Sequence, residues 1–418
     1  MFGKIKFKIY NFLRYLEKWT KTDMVYLTRG GFWLTLGQFI SSGSSFLLSI
    51  AFANLLPKET YGSYRYILSI CSILAIATLS GMGTAITRAV ARGHEGSFGA
   101  AIKTKLRWGS LGGLASLMLA IYYYFGHNNE FSIAFLLAAI FLPIMEAVSL
   151  YDSFLQGRKY FKKSTLYSAW SQIIATTALI TTIFLTQQLY IIFFVYLLSW
   201  TLVRSLFLLI TIKNNKLNDH GDESTISYGK NLSAMNIIMT VANYLDRLLV
   251  FHFLGAAQLA VYSVAIAPPE QIKGLLKNIA TLAFPKMANR DKAEVISSLK
   301  NKMYRFFIVC FPIVVLYVLL APQIFNIFFP RYHESVLLSQ LFAFSLIFSM
   351  SILPLTALQS QKMQTALYKF NIYAAIIQIG LLIVFIYFWG IIGIIIARIL
   401  MRFITLIISV SLLTNKSE

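Results

Sequence analysis

The chain has 418 residues, of which 57% are hydrophobic, and a formal net charge of +21. Its mean hydropathy is +0.68, whereas a soluble domain is about 45–50% apolar, so a soluble globular fold is excluded. Nucleic-acid binding is excluded as the reason for the charge, because the basic residues border apolar runs, where membrane topology places them.

Residues 1–30 come first. Ile5, Ile9, Phe12, Leu13 and Leu16 recur there at helical spacing among Lys4, Lys8, Arg14 and Lys18. This is the pattern of an amphipathic helix lying on an anionic leaflet, without the continuous apolar run of a cleavable signal. Apolar runs of spanning length follow at 31–56, 66–87, 108–126, 131–151, 165–185, 189–212, 232–254, 258–285, 304–321, 335–357, 371–389 and 391–413. A crossing needs roughly 20 residues, so the expectation is an all-α polytopic membrane protein of about twelve transmembrane helices. With the N-terminus in the cytoplasm, the inside segments and their borders hold 28 Lys and Arg and the outside loops 3. That bias places both ends in the cytoplasm. Cys71 and Cys310 sit in apolar runs and offer no disulfide framework or metal site.

The longest polar connection, 213–231, is rich in Asn, Asp and Gly and reads as a flexible cytoplasmic linker. It separates an N-terminal six-helix lobe (31–212) from a C-terminal one (232–413). At an offset of 198 residues, Leu56 faces Leu254, Tyr64 faces Tyr262, Arg92 faces Arg290 and Arg107 faces Arg305. The shared order points to a duplication. Six helices per half is even, so both halves have one orientation and a pseudo-two-fold axis runs along the membrane normal.

Polar residues inside the spans are the functional candidates. Gln38, Ser41, Ser42, Ser45 and Ser49 share one face of the first span, and Asn236, Thr240, Asn243 and Arg247 share one face of the seventh. The offset superimposes the two stripes. They suit helix packing or a water-filled cavity between lobes, and the cavity explains Arg247, which is costly in lipid. Asp246 lies about 100° around the helix from Arg247, so it pairs either with that neighbour near the interface or with a base on another helix. In the eighth span, Pro268-Pro269 is expected to kink the helix. Glu270, Lys273 and Lys277 follow it on one face. Arg398 and Arg402 are one turn apart on the last span and Arg204 lies in the sixth. An arginine near mid-depth costs roughly 3 kcal/mol or more, so Arg402 should face the protein interior. Glu146 is the most isolated acid of the spans. It reads as a proton-exchanging or cation-holding carboxylate, or as a neutral hydrogen-bonded carboxyl. The basic surplus suits an anion, with arginine matched to phosphate oxygens. No nucleotide fingerprint, Walker loop or His-Glu-x-x-His motif is present, and the outside loops are too short for an external catalytic site.

The twelve spans in two halves, "LLPKETYGSYRY", "NYLDRLLVFHFLGAAQLAVYSVA" and "LQGRKYFKK" resemble the polysaccharide transporter family. These are the oligosaccharide (O-antigen-type) flippases of the multidrug/oligosaccharidyl-lipid/polysaccharide exporter (MOP) superfamily. The resemblance implies a MATE-like V of two six-helix lobes in a bacterial inner membrane, working without cofactor or metal and without enzymatic chemistry. By alternating access it would move an undecaprenyl-diphosphate-linked oligosaccharide from the cytoplasmic to the periplasmic leaflet. Membrane lipid, a polysaccharide polymerase and a chain-length regulator are the implied partners of a monomer. On this reading Arg247, Lys273, Lys277, Arg402, Arg398 and Arg204 contact the diphosphate. Gln38, Ser42, Ser45, Asn236, Thr240 and Asn243 line the cavity, and Glu146, Asp246 and Glu270 are candidates for ion or proton coupling. A drug/cation antiporter would need an acidic cavity, and a glycan polymerase would need a large outer loop or a catalytic His/Asp set.

Overall fold

A computed structural model describes residues 24–288, 291–361 and 363–414, with backbone alone for 24–31, 34, 277–286 and 288. The amphipathic segment expected at 1–30 thus falls largely outside the described residues. Nearly everything described is helical and no strand occurs among the described residues. An apolar chain must satisfy its backbone groups internally, and the helix does so within one segment.

The helices are α1 (Met24–Leu55), α2 (Lys58–Leu74), α3 (Met82–Ala91), α4 (Ser97–Phe125), α5 (Asn129–Val148), α6 (Leu150–Gly157), α7 (Phe161–Leu185), α8 (Leu189–Asn214), α9 (Ser224–Leu254), α10 (Ala256–Ala288), α11 (Lys292–Phe328), α12 (Ser335–Ala343), α13 (Ile352–Ser360) and α14 (Gln364–Thr414). Among the described residues, eight helices are long and apolar enough to cross a membrane, and a ninth is added by α2 with α3, bent by 47°. Two expected spans fall in α4, which begins among Lys103, Lys105 and Arg107, and in α10, which carries Pro268-Pro269-Glu270 at its centre. The chain remains helical through those prolines. A proline removes its own donor but leaves the rest of the helix bonded.

Two expected spans share α14. Gly390 (φ 55°, ψ −131°) interrupts it, and a Cβ on Gly393 would lie 1.9 Å from the Phe385 carbonyl. Residues eight apart in a continuous helix are about 12 Å apart along the axis, so the chain folds back on itself at Gly390. Phe370 and Ala374 accordingly pack against Met401 in one core cluster.

The buried core gives the shape. At the face with the short connections, one cluster runs from Phe52, Tyr64 and Phe193 to Val261, Phe329 and Ile394, joining both halves. At the Lys/Arg-rich face it divides. Met82, Phe98 and Phe207 belong to one cluster of the first half, and Leu299, Phe306 and Leu358 to another of the second half. Two helical lobes joined at one face and separated at the other form a V. The joined face is tied by an ion pair of Lys58 with Glu334 at 2.5 Å, and by Asn54 bonds to the Phe328 carbonyl and from Arg331. Gly62 permits the closest approach there: a Cβ at this position would lie 1.8 Å from the Ala256 carbonyl. Arg65 and Ser263 are repeat equivalents at the 198-residue offset, and the Arg65 Nε donates to Ser263 Oγ at 3.4 Å. A residue touching its own equivalent lies on the pseudo-two-fold axis.

The connection 215–223 is not loose as its composition suggests. Arg158 forks onto both Glu95 oxygens at 2.6 Å and also binds Asn215 and the Lys216 carbonyl. Asn218 donates to the Gly93 carbonyl, Gly96 N–H to the His220 carbonyl, and Asp222 N–H to Ser97 Oγ. Burial of Glu95 works against this, but its bonds from Arg158 dominate and hold its carboxyl below the usual range. The start of α9 also stays on the first lobe, where Gly81 N–H donates to Ser233 Oγ at 3.0 Å.

Candidate functional site

Glu270 and Lys273 sit one turn apart on α10, Arg398 and Arg402 one turn apart on the second arm of α14, and Asp246 on α9. The helical spacing turns each pair to one side, and the three helices bring them together. Glu270 accepts from Lys273 at 3.2 Å, from Arg398 at 3.1 Å, and from Arg402. Asp246, whose side chain is fully buried, accepts from Arg398 at 2.6 Å and from the Tyr262 hydroxyl at 2.5 Å. Of the two readings left open for Asp246, the base on another helix is the one realised. Arg247 offers it only a backbone N–H, at 2.8 Å. Arg402 also donates to Ser345 Oγ at 2.5 Å. Lys273, Arg398, Arg402 and Asn243 line a cavity of about 500 Å³ within the second lobe. The side chain of Lys277 lies outside the described residues.

Arg247 stands apart from this cluster. Its guanidinium lies over the Tyr244 ring at 5.2 Å, and its buried Nε has no acceptor among the described residues. Its field is shared with Arg65, Asp246, Tyr262 and Arg398. Arg65 has the Ser263 hydroxyl and no carboxylate within salt-bridge distance among the described residues. Linked in this way through Arg398, five cations (Arg65, Arg247, Lys273, Arg398 and Arg402) face two carboxylates (Asp246 and Glu270) among the described residues. An uncompensated guanidinium at this depth is costly unless it meets water or an anion.

Arg65 was missed by sequence reasoning, which left it in an outside loop. The signal available was Pro57, which favours a helix start. With α2 beginning at Lys58, Arg65 lies two turns inside it.

The first lobe has a larger cavity, about 670 Å³. Arg204 lines it, far from the cluster of the second lobe, with its guanidinium stacked 4.3 Å from the Trp200 ring centre. Glu146 is not isolated as the sequence suggests. Lys105 of α4, whose side chain is 5% exposed, reaches its Oε2 at 3.3 Å and its carbonyl at 2.7 Å. Asp152 accepts from Ser164 and, at 2.8 Å, from Gln156. A smaller cavity of about 230 Å³ shares Gln172 and Trp200 with the larger one and reaches Arg65, Ser45 and Ser49.

The remaining stripe residues divide. Gln38 donates to Ser42 at 3.1 Å and its amide would lie 3.2 Å from a Cβ on Gly274 of α10, so this pair packs two helices across the lobes. Thr240 donates to the Asn236 carbonyl within α9, and Asn236 is exposed. Among the described residues no group of three His, Cys, Asp or Glu is arranged to hold a metal ion.

The sequence profile described as "Polysaccharide biosynthesis protein" matches residues 27–290. No curated protein sequence matches the chain. Among solved structures, the lipid II flippase MurJ in an inward closed conformation is similar with a TM-score of 0.72 at 14% identity, over 90% of this chain and 86% of that one. MATE in complex with MaD5 is similar with a TM-score of 0.66 at 14% identity, over 92% and 93%. A MOP superfamily transporter from Pyrococcus furiosus, whose reversed pocket polarity is described as suggesting a different function, gives 0.58 at 14% identity, over 93% and 96%. At such identities the likeness is one of fold.

Proposed function

Since the chain belongs to the polysaccharide biosynthesis protein family, we propose that it is a flippase for an undecaprenyl-diphosphate-linked oligosaccharide in a bacterial inner membrane. The Lys/Arg-rich face, with both chain ends, lies in the cytoplasm, and the V opens toward it. The observation that carries the reading is the surplus of cations at the axis, where among the described residues neither Arg65 nor Arg247 is matched by a carboxylate in salt-bridge contact. A diphosphate supplies the missing charge, and arginine binds its oxygens through two parallel donors.

Arg65 and Arg247 hold the diphosphate from the two lobes. Lys273, Arg398 and Arg402 add attraction from the second lobe, while Glu270 occupies these three in the absence of substrate. The glycan stays in the aqueous chamber and the lipid tail in the bilayer. Parting the Lys58–Glu334 end and closing the cytoplasmic end then exposes the glycan to the periplasm. Outward movement of the negative charges follows an inside-negative potential, worth about 2.3 kcal/mol per charge per 100 mV. Glu146 is also available for proton coupling, with Lys105 beside it. The monomer hands its product to a polymerase and a chain-length regulator. A cation antiporter fits poorly, because the axis already carries excess positive charge.

The test uses proteoliposomes with undecaprenyl-diphosphate-linked repeat unit and a leaflet-specific probe for the glycan. Arg65→Ala and Arg247→Ala should each lower flipping roughly tenfold or more, the loss of a charge-assisted phosphate contact, at unchanged protein content. Wild-type rates in both variants would remove the axis as the diphosphate site, and absence of flipping by the wild type would remove the function.

A further inference from the structure

We infer that the 670 Å³ cavity of the first lobe is a glycan-binding subsite for the uncharged sugars that follow the first sugar on the diphosphate. This rests on the flippase reading above and assigns one part of its substrate to residues unconnected with the cationic cluster.

Charge is the first ground. The cavity's two cations, Lys105 and Arg204, meet two acids, Glu146 and Asp152. The cluster at the axis and on the second lobe carries, among the described residues, five cations (Arg65, Arg247, Lys273, Arg398 and Arg402) against two acids (Asp246 and Glu270). Two compartments of different charge fit a ligand with a doubly anionic head and a neutral polar body.

The second ground is the kind of polar group offered. Among the described residues Asp152 has no cation in salt-bridge contact and is held by the neutral groups of Ser164 and Gln156, with Ser168 nearby, so its oxygens keep acceptor capacity toward the cavity. Arg204 acts on Asp152 through space without pairing with it. Its plane is fixed by the Trp200 ring, so its donors are pre-set. A carboxylate and a guanidinium facing one cavity can accept from and donate to the hydroxyls of the same sugar. Gln172 adds a further amide. The volume is within the roughly 300–1,000 Å³ of small-ligand pockets.

Position is the third. Gln172 and Trp200 also line the 230 Å³ cavity that ends at Arg65, so a sugar chain leaving a diphosphate at the axis passes directly into this space. Every residue lining the large cavity precedes the connection at 215. The subsite therefore belongs to one lobe and keeps its walls when the lobes move apart, while the axis is shared between lobes and does not.

The experiment compares two substrates in the same proteoliposomes: undecaprenyl diphosphate carrying the full oligosaccharide, and carrying its first sugar alone. Asp152→Asn and Arg204→Lys should each lower the ratio of full-length to single-sugar flipping roughly tenfold, the loss of a charge-assisted hydrogen bond. Melting temperature and membrane content are measured alongside. An unchanged ratio in both folded variants overturns the subsite. Arg247→Ala separates the two levels of the claim. If it abolishes flipping of both substrates while the ratio stays fixed in the lobe variants, the subsite fails and the flippase reading stands. If it changes neither substrate, the axis reading on which the subsite rests fails.

Discussion

Asp246 is the residue whose surroundings matter most to stability. Its side chain is fully buried and its charge is answered by Arg398 from the far end of the chain. Breaking a buried pair on one side leaves an uncompensated charge, at a cost of about 3–5 kcal/mol. Arg398→Gln should therefore lower the melting temperature in detergent sharply. The double variant Asp246→Asn/Arg398→Gln should recover most of the loss, and failure to recover would show that the pair is not the reason. At the Lys/Arg-rich end, the lowered pKa of Glu95 sets a sign. A depressed carboxylate stabilises above its unfolded pKa and loses that contribution as pH falls through the folded value. Cleavage of the 215–223 connection by a protease active in acid should rise across that acidic range, and Glu95→Gln should raise cleavage by a second protease, active at neutral pH. Equal protection in the variant at neutral pH would contradict the clasp.

Among the elements, the crossing of α2 with the start of α10 depends on Gly62. A methyl group there would overlap the Ala256 carbonyl, and backbone cannot swing aside as a flexible side chain can. Gly62→Ala should separate the lobes at the closed face while each lobe stays folded. Spin labels at positions 58 and 334 would report this as a longer distance than in the wild type, and an unchanged distance would mean that the crossing tolerates the methyl. The bend between α2 and α3 was invisible to hydropathy, whereas the turn at Gly390 falls between the apolar runs read at 371–389 and 391–413. A hydropathy window measures apolar length and carries no information about direction, so α14 still passes as one 51-residue helix by composition.

For the whole molecule, the fused core at one face and the divided core at the other define a state closed at the face with the short connections. Linking positions 58 and 334 with a bifunctional thiol reagent, after Lys58→Cys and Glu334→Cys, should hold that state. Flipping should then stop and return on cleavage of the linker, since alternating access requires the two lobes to part there. Native Cys71 and Cys310 are buried and compete little for the reagent. Continued flipping by the linked protein would exclude this rocking motion.

The sequence by itself determined the helical class, the number and length of apolar runs, the sidedness of charge and the duplication, because each depends on composition and period along the chain. It also marked Glu270 with Lys273, and Arg398 with Arg402, as two separate groups, since one helical turn places the members of each together. Partnership between helices was a different matter. That Asp246 answers Arg398, that Lys105 answers Glu146, and that Arg65 stands unmatched beside Arg247 depends on which helix faces which. Three-dimensional packing alone fixes that choice, because a buried charge is decided by the groups within a few ångströms of it and not by its neighbours in sequence.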